Sequence, residues 1–424
     1  MLAPGPRFGR RRSTYQRTAA NHDWEQRDYT MNKSADRAIY LDHAATTAVD
    51  PRVVQAMLPF WTERYGNASS IYGLGRDSHH ALDEARQTVA DILHCVPNEV
   101  IFTSCGTESD NLALRGLAFD RRARAKKNHI ITSSIEHHAV GHTVEQLVAH
   151  FGFEASYVPV DADGVVDPQA VEDLIRPDTA LISIMYANNE VGTIEPLAEI
   201  GAVARAHAIP FHTDAVQGGG SLDLDVRALN VDLMSLSAHK FYGPKGVGIL
   251  YARRGVTVLP MQTGGGHERG RRAGTENVPY IVGIATALRL AHDEREESNK
   301  RIAQLRDKLV GGVLQQIPES RLTGHATHRL PNSASFLFRY VEGESILLHL
   351  DMLGVAASSG SACTSGSLEP SHVLLAMGFK HEEAHGSLRL TLGKESTEED
   401  IGFVLTVLPG IIANLRKMSP LYGG

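Results

Sequence analysis

Five short apolar runs recur down the chain, at 129–134, 180–186, 209–213, 232–237 and 247–252. Runs of this length, bounded by turn residues, predict buried strands. Between several of them the apolar positions take helical spacing. From Ser78 to Cys95, Leu82, Ala85, Val89, Ile92 and Leu93 share one face, with Asp77 or Ser78 placed to cap it. A longer helical region runs from about Val278 to Ile317, with Ile302, Leu305, Leu309 and Val313 on one stripe. Strands alternating with helices predict an α/β fold whose mainly parallel sheet is covered on both faces. The carboxyl ends of such strands are where a ligand is expected.

At 424 residues the chain is long enough for two domains sharing one cleft. A net charge of −7 argues against a general nucleic-acid-binding surface. Three cysteines, sparse and odd in number, exclude a disulfide framework and fit a reducing compartment, hence the cytoplasm. No apolar run reaches the roughly 18–20 residues that cross a bilayer. The longest, Phe403 to Leu415, is interrupted by Pro409-Gly410, so no membrane association is predicted. The first thirty residues carry Pro4, Pro6 and Arg at 7, 10, 11, 12 and 17 without an apolar core, which rules out a secretory signal. A disordered extension, or translation starting at Met31, is the plainer reading; Asp23, Glu25 and Asp28 weaken an organellar transit peptide.

Two apolar runs deliver polar clusters that carry chemistry: His-Thr-Asp-Ala-Val-Gln at 212–217 and Ser-Ala-His-Lys at 237–240. A lysine at a buried strand end is a natural Schiff-base former, because burial and nearby cations lower its pKa. An aspartate on a nearby strand can pair with a pyridinium nitrogen, and the two together suit pyridoxal phosphate (PLP). Cys363 lies in Ser-Ser-Gly-Ser-Ala-Cys-Thr-Ser-Gly-Ser at 358–367, which has neither helical nor strand period. That context suits an exposed nucleophile, or equally a Gly/Ser linker with an incidental cysteine. Cys95 and Cys105 read as buried, inert thiols. The chain has 21 histidines, but His79-His80 and His137-His138 are adjacent pairs and no metal-ligand spacing emerges, so no metal is expected. Gly243-Pro-Lys-Gly-Val-Gly lacks the ending of a P-loop and reads as a turn.

Several separated motifs stand in one order: Tyr-Leu-Asp-His-Ala-Ala-Thr-Thr at 40–47, Gly-Thr-Glu-Ser-Asp-Asn at 106–111, Glu-His-His-Ala-Val at 136–140 and Ala-Asn-Asn-Glu-Val-Gly at 187–192. The Asp214 and Lys240 segments follow, then Gly-Gly-Gly-His-Glu-Arg-Gly at 264–270, Arg-Ala-Gly-Thr-Glu-Asn at 272–277 and Ser-Ala-Cys-Thr-Ser-Gly-Ser-Leu-Glu-Pro-Ser at 361–371. From about Ala38 to about Leu415 the chain resembles the NifS/IscS-type cysteine desulfurases, PLP enzymes of the class V aminotransferase superfamily. The resemblance implies the fold type I architecture of PLP-dependent transferases. A large domain with a mainly parallel seven-stranded sheet would span 38–295 and a smaller α+β C-terminal domain 296–424, behind an extension at 1–37.

The same resemblance implies the site. Lys240 would hold PLP and move protons, Asp214 would bond the ring nitrogen, Gln217 the phenolic oxygen, and His137 would stack on the ring and share in proton transfer. Asn189 would line both cofactor and substrate carboxylate. Gly106, Thr107, Ser237 and His239 would bind the phosphate, joined by Thr275 from the adjacent subunit of a homodimer. Arg389, which breaks an apolar alternation, would clamp the substrate carboxylate, a structural ion pair being its other reading. Cys363 would take sulfur from L-cysteine as a persulfide, leave L-alanine, and pass the sulfur to an iron–sulfur scaffold or another acceptor protein. A selenocysteine lyase or a class V aminotransferase would keep Lys240 and Asp214 without depending on Cys363. A sulfur carrier binding PLP only structurally is the reading from a different class.

Overall fold

A computed structural model of the chain describes residues 38–360, 369–420 and 422. Its centre is a seven-stranded sheet in the spatial order Val100–Thr103, Gly248–Ala252, Leu233–Ser237, Phe211–Asp214, Thr179–Ser183, His129–Ser133, Glu154–Val158. Gly248–Ala252 runs antiparallel to both neighbours, and every other pairing is parallel.

Adjacent residues on the strands alternate between two apolar layers. Ile101, Ile130, Leu181, Leu233 and Leu250 pack under the helices Gly106–Ala125 and His138–Phe151. Phe102, Ile131, Ile182, Met234 and Ile249 pack against Gly73–Leu93 and Val278–Asp293 on the other face. Burial on both faces explains why these strands read as continuous apolar runs. All five strands predicted from the sequence are present within three residues of the expected bounds. The mainly parallel seven-stranded sheet stands as expected.

A second, antiparallel sheet of three strands follows, in the order Ser387–Thr391, Ser333–Phe338, Ser320–Leu322. Its core joins Phe336, Phe338, Leu388 and Leu390 to the stripe Ile302, Leu305, Leu309 and Val313. The chain returns to this layer at its beginning, where Ile39–Tyr40 pairs in parallel with Val355–Ala356.

Three local expectations need correction. The helix expected from Ser78 starts at Gly73, so Asp77 and Ser78 lie inside it and cap nothing; Tyr72 stands at its N-cap without a side-chain bond. The region 278–317 is two helices, Val278–Asp293 and Arg295–Gln316, which meet at Glu294. Pro409-Gly410 does not interrupt the last helix, which runs unbroken from Glu398 to Met418. That helix is long and apolar enough, by length and composition, to cross a membrane. Here Ile401, Val404, Leu408 and Ile412 are buried in the core of the three-stranded layer, and this packing outweighs the roughly 3 kcal/mol an interior proline costs.

Candidate active site

The carboxyl ends of the central strands open into a cavity of about 490 Å³, lined by Lys240, Asp214, His137, Asn189, Gln217 and Arg389 among others. Register places its chemistry. Asp214 ends its strand opposite Ser235, and two residues on Ser237 passes into the short turn of helix Ala238–Lys240. Lys240 Nζ donates to the carbonyls of Ala44 at 2.5 Å and Ala45 at 2.8 Å. The Ala-Ala of the 40–47 motif thus holds the lysine head at the cavity wall.

Asp214 is buried, and its Oδ1 accepts the Val216 N–H at 2.9 Å. Burial pushes its carboxyl pKa upward, against the pull of His137 and Lys240. Asp110, also fully buried and lining the cavity, is pushed up further by burial and by Asp214 itself. In so dry a site the negative charge of either carboxyl makes ionisation of the other costlier. Below them His212 bonds Ser183 Oγ at 2.9 Å and Ser235 Oγ at 3.0 Å. Burial drops its pKa to about 3, so it is a neutral brace.

His137 caps the helix His138–Phe151, its Nδ1 accepting the Ala139 N–H at 3.1 Å. That bond leaves the neutral ring's proton on Nε2. Burial lowers its pKa, with Asp214 acting in the opposite sense.

The other wall is the N-terminus of the helix Gly106–Ala125, capped by Cys105, whose Sγ accepts the Glu108 N–H at 3.4 Å. Free N–H groups and the helix dipole make this end a receptor for an anion. Gly106 is required there: a Cβ would stand 2.7 Å from Val216 Cγ2 and 3.3 Å from Ser237 Cβ. Thr107, Ser237 and His239 line the same wall. Burial and the neighbouring Lys240 and Lys245 bring His239 down to about 4, so it offers a neutral imidazole, with Nδ1 3.2 Å from Thr46 Oγ1. Gln217 Nε2 donates to the Ala44 carbonyl at 3.1 Å.

Arg389 enters from the three-stranded sheet. Its Nη1 donates to the Asn189 carbonyl at 2.8 Å and its Nη2 to Asp42 Oδ1 at 2.8 Å, while Nε is buried without a partner. The ion pair and the cavity position are therefore both real, and the two readings of Arg389 are not exclusive. Of the other expected residues, Thr275 lies elsewhere: it is exposed and lines a separate cavity of about 220 Å³ beside Glu268 and Arg272. Cys363 and the extension at 1–37 lie outside the described residues. Cys95 is a half-buried thiol pushed up to about 12 by burial, as an inert cysteine should be. Cys105 is not of that kind, since it lines the active cavity. Sequence reasoning also assigned nothing to Asp42 and Asp110. Both stand inside quoted motifs, and that membership was the available signal.

The sequence pattern of the family described as aminotransferase class-V matches residues 39–404. A protein of Methanosarcina thermophila named cysteine desulfurase IscS is 55% identical over 386 residues, covering 91% of this chain and 95% of that one. A solved NifS-like protein superposes with a TM-score of 0.83 at 40% identity, covering 89% of this chain and all (100%) of that one. A structure described as SspA in complex with cysteine gives 0.74 at 37% identity, covering 84% and 98%. Fold and site together define a fold type I PLP-dependent enzyme. The chain belongs to the class V aminotransferase family.

The residues present fit PLP. A buried carboxylate at the cavity would suit the ring nitrogen, the glycine cradle at a helix N-terminus would take the phosphate, and the amine at the wall would take the aldehyde.

Proposed function

We propose that this chain is a cysteine desulfurase: it converts L-cysteine to L-alanine and carries the sulfur away as a persulfide on Cys363 for iron–sulfur cluster assembly. The observation that carries the reading is that one cavity is lined by Lys240, Asp214 and His137 together with Arg389. An amino acid anchored by its carboxylate at Arg389 presents its amine and Cα toward Lys240. PLP, when bound, accepts the electron pair left as the Cα proton departs.

The chain's own groups do the rest. Asp214 would bond the ring nitrogen of the cofactor. Lys240 would hold the cofactor by its aldehyde, and its amine would move the Cα proton. His137, neutral with its proton on Nε2, is the second proton donor. The Cys363 thiolate attacks the substrate sulfur, the C–S bond breaks, and the electron pair of that bond returns to the substrate's β-carbon with a proton. Cysteine plus thiol thereby becomes alanine plus persulfide, with no outside oxidant. Thr275 is read as serving the phosphate site of a second copy in a homodimer. The exposed Leu58, Trp61, Tyr65 and Ile71 supply apolar surface for that copy to cover. The sparse cysteines support a cytoplasmic site of action, with a scaffold or other sulfur acceptor as partner.

The test is release of alanine and sulfide from L-cysteine with a thiol reductant present, comparing the native protein with Cys363→Ala. Equal yields from the native protein and almost none from the variant support the reading. Product formation indifferent to the substitution would instead indicate a lyase that eliminates sulfur or selenium directly.

A further inference from the structure

Arg389 does not wait for substrate as a bare cation. Its guanidinium is 6% exposed and already donates to an anion, Asp42 Oδ1, at 2.8 Å. Asp42 is held in turn by the fold: its residue bridges to Thr391, and its backbone carbonyl accepts from Tyr40 Oη at 3.1 Å. Nη1 is committed to the Asn189 carbonyl and Nη2 to Asp42, and Nε is buried with no partner among the described residues. Both Asp42 and Arg389 line the cavity, so a ligand carboxylate drawn to Arg389 there meets the Asp42 charge as well. Glu190 is the other carboxyl acting on Arg389, but it is directed to Ser371 Oγ.

We propose that Asp42 is a specificity-determining residue: paired with Arg389 at the cavity, it cancels enough of the guanidinium charge to reject amino acids carrying a second carboxylate. The assignment rests on the amino-acid substrate proposed above. A small amino acid with one carboxylate meets little net field. A dicarboxylic amino acid meets Asp42 with its second charge, and in a partly buried site such a like charge is worth roughly tenfold or more in affinity.

Asp42→Asn keeps an oxygen for Nη2 and removes the charge, whereas Asp42→Glu keeps the charge. Calorimetric titration of the PLP-loaded proteins with L-alanine and L-aspartate reads the effect without turnover. The expected result is that Asp42→Asn strengthens aspartate binding roughly tenfold more than alanine binding. Asp42→Glu should keep the native preference. An unchanged ratio in Asp42→Asn overturns the assignment, even with desulfurase activity intact. Loss of both ligands in Asp42→Asn, restored in Asp42→Glu, also overturns it, making Asp42 only a brace for Arg389. Alanine binding without any cysteine turnover by the native protein would sink the proposed reaction instead, leaving the ratio to decide on Asp42.

Discussion

The two ends of the cavity are built in opposite ways. At the cofactor end Asp214, Ser237, His239 and Lys240 come from one stretch of chain, two adjacent parallel strands and the turn that follows. At the substrate end Arg389 reaches Asn189 across 200 positions and Asp42 across 347. The first is positioned by sheet register, which a slip of one residue would invert for every side chain. The second depends on how the three-stranded layer packs on the central sheet, and its key ion pair joins residues 347 positions apart. A rigid end for the cofactor and an assembled end for the substrate suggest where substitutions act: on chemistry at one end, on recognition at the other.

The largest effect should come from the register-built end. Lys240→Ala removes the amine that holds the cofactor and moves the proton. Alanine release should fall by roughly 10²–10⁴-fold, and the absorbance of the covalently held cofactor should vanish. Substantial retained turnover would mean that another group moves the proton.

The assembled end should fail differently. Arg389→Lys keeps the charge but loses the planar fork that bonds Asn189, Asp42 and a carboxylate together. Loss of one charge-assisted hydrogen bond, about 1.5–3 kcal/mol, predicts a roughly ten- to hundredfold fall in kcat/KM, carried mostly by KM. A fall carried by kcat alone would place Arg389 in the chemistry and erase the contrast between the ends.

The smallest effect concerns Glu190, fully buried beside Asn189 and pushed up to about 7 by burial, against the Ser371 hydrogen bond and Arg389. A carboxyl whose folded pKa lies above its unfolded value stabilises the fold fully below the ordinary range near 4.5. That stabilisation is lost as pH rises through about 7. The native protein should therefore lose about 1 kcal/mol from this group between pH 6 and pH 7. Glu190→Gln should lack that slope in urea unfolding followed at both pH values. Parallel slopes in the two proteins would mean that Glu190 stays ionised in the fold.

How much of this was legible in the sequence follows the same division. The strand ending at Asp214 and the Lys240 turn were readable, because apolar runs report burial locally and the polar residues closing them stand where a parallel sheet binds ligands. Gly106 was readable as a phosphate turn from its motif, although the reason no Cβ fits involves Val216 and Ser237, far along the chain. Cys105 was read as a buried, inert thiol. The strand instead ends at Thr103, and the cysteine turns outward to cap a helix at the cavity. Asp77 and Ser78 misled for the converse reason: good capping residues, they were taken into a helix whose earlier start is set by packing.

By itself the sequence determined the α/β alternation, the two apolar layers, and the identity and order of the groups at the cofactor end, since each depends on periodicity or on neighbours a few residues away. Only the tertiary structure decided that Asp42 pairs with Arg389, that Asp110 joins Asp214 in lining the cavity, and that Thr275 stands away from its own chain's cavity. Those outcomes depend on distance and dielectric between groups remote in sequence, and no local pattern of residues encodes either.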